Sequence, residues 1–142
     1  MYEPKQVSKV TTVIGLVFEG LGLLAILAGL SVIIVLSGQG RDFFLDQDLT
    51  EGQVDMLLLA LNVFTVILVV MAFLVLCFFI VNLYLFTRLV RGRFTPGQAK
   101  NVHLYQAIWG GVNILFNQIA GVLYLVSGLS ALSDVDTPDD ES

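Results

Sequence analysis

The chain has few of the residues from which soluble active sites are built. It contains one cysteine and one histidine, and only 13% of its 142 residues are charged, against about 25% in a typical soluble domain. The single cysteine, Cys77, excludes an internal disulfide and a cysteine pair for a metal ion. Neither of the hydrolase patterns H-E-x-x-H and G-x-S-x-G occurs, and there is no phosphate-binding glycine loop. We therefore expect no enzymatic activity, no metal and no cofactor.

Apolar residues, by contrast, are abundant. They make up 56% of the chain, and the mean hydropathy is +0.86. Three long apolar runs cover Val10–Leu36, Met56–Thr87 and Val102–Leu132. Each run exceeds the roughly 20 residues that a helix needs to cross a bilayer core. We predict an all-α integral membrane protein, a single membrane domain with three transmembrane helices over these runs, whose first partner is the lipid bilayer.

The charged residues are segregated between the links that join the runs. Six of the seven Lys and Arg residues precede the first run or lie between the second and third, whereas ten of the twelve acids lie between the first and second or follow the third. Basic residues mark the cytoplasmic side of a membrane protein. The pattern predicts a cytoplasmic N-terminus and an outside C-terminus. The expected segments are an outside loop at 37–55, a cytoplasmic loop at 88–101 and an acidic outside tail at 133–142.

The basic residues of the predicted cytoplasmic loop are also candidates for contact with anionic lipid headgroups. They are too few for a nucleic-acid interface, and membrane topology alone explains their position. We therefore expect no nucleic-acid partner. The four residues are Arg88, Arg91, Arg93 and Lys100.

The first run has one competing interpretation, a cleaved signal peptide, because two lysines precede it. The apolar part of a signal peptide is about 7–15 residues long and ends at a small-residue cleavage site. The run over Val10–Leu36 is longer, and no A-x-A site follows it. We interpret it as a retained transmembrane helix.

Small and polar residues recur at helical spacing along the first and third runs. Helices in lipid associate through close approach at small residues and through polar side chains, because no hydrophobic force drives them together. The pattern predicts that the first and third helices pair through a seam of glycines and polar residues. The packing glycines are Gly15, Gly22 and Gly29 in the first run and Gly110, Gly121 and Gly128 in the third.

Glu19 is the strongest candidate for a functional residue, since an acid within a membrane span is costly and commonly marks a site. At a matching depth the third run presents polar residues, and we predict that Glu19 contacts Asn113, Asn117 or Gln118. In a structural role, a protonated Glu19 would donate a hydrogen bond to an asparagine. A proton or cation path and a contact with a partner's helix are the alternatives. His103 is expected at the membrane interface, or alternatively as a pH-responsive gate.

Capping residues mark where helices begin and end. The sequences Thr50-Glu51-Gly52-Gln53 and Thr95-Pro96-Gly97-Gln98 match the capping box. Gly92 is typical of the residue that follows a helix. These positions predict helix starts after Thr50 and Thr95 and a helix end just before Gly92.

Two stretches carry a resemblance to a known group of proteins. They are Val7–Leu24, VSKVTTVIGLVFEGLGLL, and Asn117–Ser130, NQIAGVLYLVSGLS. Both resemble small multi-span membrane proteins of Gram-positive bacteria whose function is uncharacterised, in which a short basic arm runs into a glycine-rich first helix. The resemblance implies a location in the bacterial plasma membrane and supplies no activity.

For function, we favour a non-catalytic accessory or scaffold subunit that associates with other membrane proteins, or with its own copies, through the glycine and polar seam. Three helices enclose too little volume for a substrate path within one chain. The alternative is a small homo-oligomeric channel or proton-coupled transporter that uses Glu19. A holin-like lysis protein is a third hypothesis.

Overall fold

A computed structural model describes residues 1–135 of the chain as four α-helices. They are α1 (Gln6–Leu45), α2 (Glu51–Val90), α3 (Pro96–Asn113) and α4 (Gln118–Val135). The prediction of an all-α protein is confirmed, and α1 and α2 are long and apolar enough to cross a membrane. Most of the predicted acidic tail, residues 136–142, lies outside the described residues.

The helix ends lie where the capping residues predict them. The hydroxyl of Thr50 accepts a hydrogen bond from the backbone N of Gln53 (3.3 Å), and the Gln53 side chain accepts one from the backbone N of Thr50 (3.0 Å). Thr95 and Gln98 make the same reciprocal pair at the start of α3. After α2, Gly92 has a φ of +64°. This left-handed conformation ends the helix, and glycine adopts it without strain.

The prediction of one helix over Val102–Leu132 is wrong, because this segment forms two helices joined by a turn. α3 ends at Asn113, and Asn117 caps α4 by accepting a hydrogen bond at its Oδ1 from the backbone N of Ala120 (3.3 Å). Hydropathy gives no sign of this turn because its residues are apolar. Two of them, Leu115 and Phe116, are 82% and 69% exposed.

α3 and α4 fold back on one another as an antiparallel hairpin. A Cβ atom built on Gly110 would lie 2.8 Å from the carbonyl oxygen of Gly121, and one built on Gly128 would lie 2.7 Å from that of His103. The backbones therefore touch directly, and α4 ends beside the start of α3. The prediction of termini on opposite sides of the membrane assumed a single third helix, so it loses its basis here.

The chain forms two compact units. The first contains Met1–Gly22 together with the chain from Phe78 onward, and the second contains Leu23–Cys77. In the first unit, buried apolar side chains from α2, α3, α4 and the α2–α3 link form one cluster. In the second unit, Arg41 pairs with Asp55 at an Nη1–Oδ1 distance of 3.2 Å.

The first unit buries polar side chains and exposes aliphatic ones. Val17 and Leu21, for example, are 56% and 53% exposed. This is the reverse of the usual distribution in a soluble protein. The buried polar residues are Ser8, Thr12, Glu19, Asn82, His103, Gln106, Asn113 and Ser127.

Candidate functional site: two buried polar clusters

Glu19 lies in the interior of the first unit, where it is only 4% exposed. Its Oε1 accepts a hydrogen bond from Asn82 Nδ2 of α2 (2.7 Å), and its Oε2 accepts one from the Tyr124 hydroxyl of α4 (2.5 Å). The Oδ1 of Asn82 in turn accepts a hydrogen bond from the Tyr105 hydroxyl of α3 (2.5 Å). These four residues, the Glu19 cluster, connect all four helices.

In the structure, the hydrogen bonds of Glu19 come from Asn82 and Tyr124 and not from the residues predicted to face it. Asn117 instead donates from Nδ2 to the carbonyl oxygen of Phe18 (2.8 Å), one residue away from Glu19 along α1. Asn113 is buried, but its Nδ2 makes no hydrogen bond within the described part of the chain. Gln118 is exposed. The turn after Asn113 explains the difference. Because the chain folds back there, other residues of the third run lie at the depth of the Glu19 carboxylate.

Asn82 and Tyr124 therefore supply the hydrogen bonds that the sequence assigned to other residues. Asn82 was detectable in principle, because it is one of two asparagines in the otherwise apolar second run. Tyr124 lies three residues after Gly121 and four before Gly128, which places it on the same helical face as the packing glycines of the third run, but this position does not identify Glu19 as its partner.

Two of the predicted packing glycines on α1 make room for this arrangement. A Cβ atom on Gly15 would lie 2.6 Å from the ring of Tyr124, and a Cβ on Gly22 would lie 2.6 Å from the Nδ2 of Asn117. Gly29 differs, because a Cβ there would meet no atom within 4 Å. Gly15 and Gly22 therefore allow α4 and the preceding turn to approach α1, whereas Gly29 has no such role within the described residues.

A second set of polar side chains lies nearer the start of α1. Gln106 Nε2 donates to the hydroxyl of Thr12 (2.8 Å), the hydroxyls of Thr12 and Ser127 are 2.9 Å apart, and those of Ser127 and Ser8 are 2.8 Å apart. His103 Nδ1 lies 3.2 Å from Gln106 Oε1. These five residues, the Thr12 cluster, are all buried and join α1, α3 and α4.

The interfacial position expected for His103 concerns depth in the membrane and stays a prediction, but the residue is not at the surface of the protein. Its side chain is fully buried, and the ring of Tyr2 packs edge-on against it with 5.7 Å between ring centroids. Tyr2 is held there because its backbone N donates to the carbonyl oxygen of Phe94 (2.9 Å). The extended N-terminal residues therefore cover the histidine.

The sequence contained a regular pattern that identifies both clusters on α1. Ser8, Thr12, Gly15, Glu19 and Gly22 follow one another at spacings of four, three, four and three, which places them on one helical face. Sequence reasoning identified the last three of these residues and overlooked the hydroxyl residues before them.

The predicted lipid-contact residues lie around the end of α2 and the start of α3. Arg88 is half-buried, whereas Arg91, Arg93 and Lys100 are exposed.

Near the N-terminus, the hydrogen bond and charge of Lys9, whose Nζ is 2.8 Å from Glu3, lower the pKa of the Glu3 carboxyl.

The Glu19 cluster has the chemistry of a hydrogen-bonded junction between helices. Each carboxyl oxygen has a donor from a different helix, and the indole of Trp109 also lies close to the carboxyl group. No second carboxylate joins it, and in residues 1–135 no group of three or more His, Cys, Asp or Glu residues could hold a metal ion.

Comparison with protein-family models, with curated protein sequences and with solved structures gave no match. The resemblance to small membrane proteins of Gram-positive bacteria therefore stays a prediction.

Proposed function

We propose that this chain is a non-catalytic integral membrane protein of the bacterial plasma membrane, an accessory or scaffold subunit. It binds helices of other membrane proteins, or its own copies, through an exposed small-residue face of α1. The observation that carries the proposal is the Glu19 junction, a buried carboxyl group whose two oxygens both serve to hold helices of one chain together.

Insertion in a bilayer is supported by the polar interior and apolar exterior of the first unit. Hydrocarbon offers no hydrogen bonds, so polar groups of a membrane protein must find partners inside it. The hydrogen bonds of the Glu19 and Thr12 clusters meet that condition for both carboxyl oxygens and for the hydroxyl groups, whereas His103 Nε2 has no partner within residues 1–135. At 40 residues each, α1 and α2 are about 60 Å long. This exceeds the roughly 30 Å of a bilayer core, so the helices tilt or project beyond it.

Both described ends of the chain are assigned to the cytoplasmic side. Basic residues precede the apolar part of α1 and follow that of α2, which favours a cytoplasmic location for both segments. The hydroxyls of Ser8 and Ser127 are 2.8 Å apart, so the last turns of α4 lie beside the first turns of α1. The C-terminal end of α4 therefore belongs on the same side as the N-terminus.

The Glu19 cluster favours a structural role over proton or cation transport. A carboxylate that carries an ion must gain and lose that ion during transport. Both oxygens of Glu19 instead accept hydrogen bonds from side chains that the helices hold in place, and Asn82 is itself held by Tyr105. Transport would require breaking bonds that connect all four helices.

We assign the partner-binding face to a part of α1 other than the predicted seam, because residues of the same chain already pack against the seam at Gly15 and Gly22. On α1, Ala25 and Gly29 are one turn apart and exposed. A Cβ on Gly29 would meet no atom within 4 Å. Such small residues at a spacing of four allow a second helix to approach the backbone closely. This face supports binding of a helix from another chain.

A pair of matched substitutions tests the proposal. A Cβ meets no atom within 4 Å at Gly29 or at Gly111, so leucine at either position should leave the single chain folded. In lipid nanodiscs formed directly from the native membrane, native mass spectrometry should show a complex with discrete stoichiometry. Gly29→Leu should weaken that complex about tenfold or more, which corresponds to about 1.4 kcal/mol, whereas Gly111→Leu should leave it intact. A monomer without partners, or equal effects of both substitutions, would contradict the proposal.

A further inference from the structure

An open groove of about 640 Å³ lies along the end of α2 and the link that follows it. One part of its lining is aliphatic, from Ile80 and Leu83. The other part contains three guanidinium groups, those of Arg88, Arg91 and Arg93. Ile80 and Arg91 are eleven residues apart, so the groove follows about 16 Å of helix. This length is close to one leaflet of a bilayer, half of a core about 30 Å thick.

Arg88 is held in a defined position within the groove. Its Nη1 donates a hydrogen bond to the Tyr84 hydroxyl (2.9 Å), and its guanidinium carbon lies 4.9 Å from the centroid of the Phe94 ring. Phe94 is itself buried. A guanidinium group has five N–H donors, and this arrangement uses one of them. The group is therefore fixed in place while most of its donors remain available.

The two neighbouring arginines have no acidic partner among residues 1–135. Arg91 and Arg93 are exposed, and neither makes an ion pair with an acid in the part of the chain that the structure describes. Over a total length close to that of one leaflet, the groove therefore combines an aliphatic part at Ile80 and Leu83 with the positive charge of the arginines at its other end. This combination matches an anionic phospholipid, which has an acyl chain at one end and a phosphate at the other.

Building on the proposed membrane insertion, we infer that this groove binds one anionic phospholipid. The phosphate lies among Arg88, Arg91 and Arg93, whose planar guanidinium groups suit bidentate hydrogen bonds to phosphate oxygens. An acyl chain covers Ile80 and Leu83. A soluble phosphate would satisfy the arginines but leave the aliphatic part of the groove uncovered, so a lipid accounts for both halves of the lining.

Native mass spectrometry of the delipidated protein with phosphatidylglycerol or phosphatidylcholine of identical acyl chains tests this inference. The unmodified protein should bind one phosphatidylglycerol in preference to phosphatidylcholine. The double substitution Arg91→Gln/Arg93→Gln should weaken phosphatidylglycerol binding about 30-fold, or about 2 kcal/mol, since each basic residue at an anionic surface contributes about 1 kcal/mol. Arg41→Gln is the matched control, because Arg41 lies in the other unit and pairs with Asp55.

A second variant tests the acyl part of the groove. Leu83→Trp keeps the three arginines and fills the aliphatic surface, so it should also weaken phosphatidylglycerol binding. Glycerol phosphate at millimolar concentration should not displace the lipid. Equal binding of the two lipids, an equal loss with Arg41→Gln, or displacement by glycerol phosphate would overturn the inference.

Alkaline carbonate extraction distinguishes failure of the lipid-binding inference from failure of the proposed membrane insertion. Protein that carbonate removes from the membrane would contradict membrane insertion itself. Protein that stays in the membrane but binds both lipids equally would contradict only the lipid site.

Discussion

Glu19 accepts hydrogen bonds from α2 and α4 at once, so the effect of replacing it depends on what the new side chain offers to those two donors. Without an acceptor, Asn82 Nδ2 and the Tyr124 hydroxyl would be left buried and unpaired. Each such group costs about 1–3 kcal/mol. A replacement that keeps polar atoms in the same place avoids most of this cost.

We expect Glu19→Ala to lower the free energy of unfolding by about 2–4 kcal/mol, through the unpaired donors and the cavity. Glu19→Gln should lower it by less than about 1 kcal/mol, because the amide oxygen can accept from Asn82 while the amide nitrogen donates to the oxygen of Tyr124. Tyr124→Phe removes a single interhelical hydrogen bond and should cost about 0.6–1.7 kcal/mol. Unfolding of the purified protein in detergent, monitored by the fluorescence of its single tryptophan, measures all three.

The same variants decide between a structural and a transporting Glu19. If Glu19→Gln unfolds as easily as Glu19→Ala, the amide does not replace the carboxyl group. That result would contradict the hydrogen bonds from Asn82 and Tyr124 to Glu19. If Glu19→Gln is stable but abolishes proton flux in reconstituted vesicles, the channel or transporter hypothesis gains the evidence it needs. We expect a stable variant, with vesicle proton flux no different from that of the unmodified protein.

The importance of Glu19 could be read from the sequence, but its partners could not. An isolated acid in an apolar run is conspicuous because burying it costs so much free energy. Its partners were predicted by matching depth along a single third helix. Once that helix divides at Asn113, depth along the sequence no longer corresponds to depth in the structure, and Tyr124 takes the place assigned to the asparagines.

Among the helices, the α3–α4 hairpin shows why periodicity alone does not fix connectivity. Gly110, Gly121 and Gly128 fit one face of a continuous helix. They also fit two facing surfaces of a helix pair that folds back at its middle. Both arrangements use glycines for close approach, and the turn residues 114–116 are as apolar as the helices that they join. The pattern therefore predicted which residues pack but not which helices they join.

Adjacent glycines in α3 provide a direct test of this hairpin. A Cβ on Gly110 would lie 2.5 Å from the backbone N of Leu125, whereas a Cβ on Gly111 would meet nothing within 4 Å. Backbone cannot move aside as a flexible side chain can, so Gly110→Ala should destabilise the protein by about 1–3 kcal/mol. Gly111→Ala should be neutral or stabilising by up to about 1 kcal/mol, since alanine favours a helix.

Thermal unfolding of the two alanine variants in the same detergent gives the comparison. The two substitutions add the same methyl group to neighbouring residues, so differences in helix propensity cancel. Similar unfolding temperatures for both variants would indicate that α3 and α4 are not in backbone contact at Gly110.

At the scale of the whole molecule, the division of the third run changes the side of the membrane on which we propose that α4 ends. The segregation of charge, with basic residues before α1 and after α2 and acids between them, predicts the orientation of these two helices, and that orientation stays a prediction. The prediction that the acidic C-terminal tail lies outside assumed that the third run crosses the membrane as a single helix. The backbone contacts between α3 and α4 instead support a return of the chain, so that α4 ends on the side of the membrane where α3 begins.

Cysteine labelling in intact cells tests this topology. In a Cys77→Ser background, we expect Gln47→Cys to react with a membrane-impermeant maleimide from outside, because residue 47 lies between α1 and α2. Ser133→Cys, near the end of α4, should react only after the cells are permeabilised, as should the control Gly97→Cys at the start of α3. Labelling of Ser133→Cys in intact cells, with Gly97→Cys still protected, would show that α4 ends outside. That result would contradict the folded-back hairpin, because the contact between Gly128 and the His103 carbonyl requires both helix ends to lie at the same membrane face.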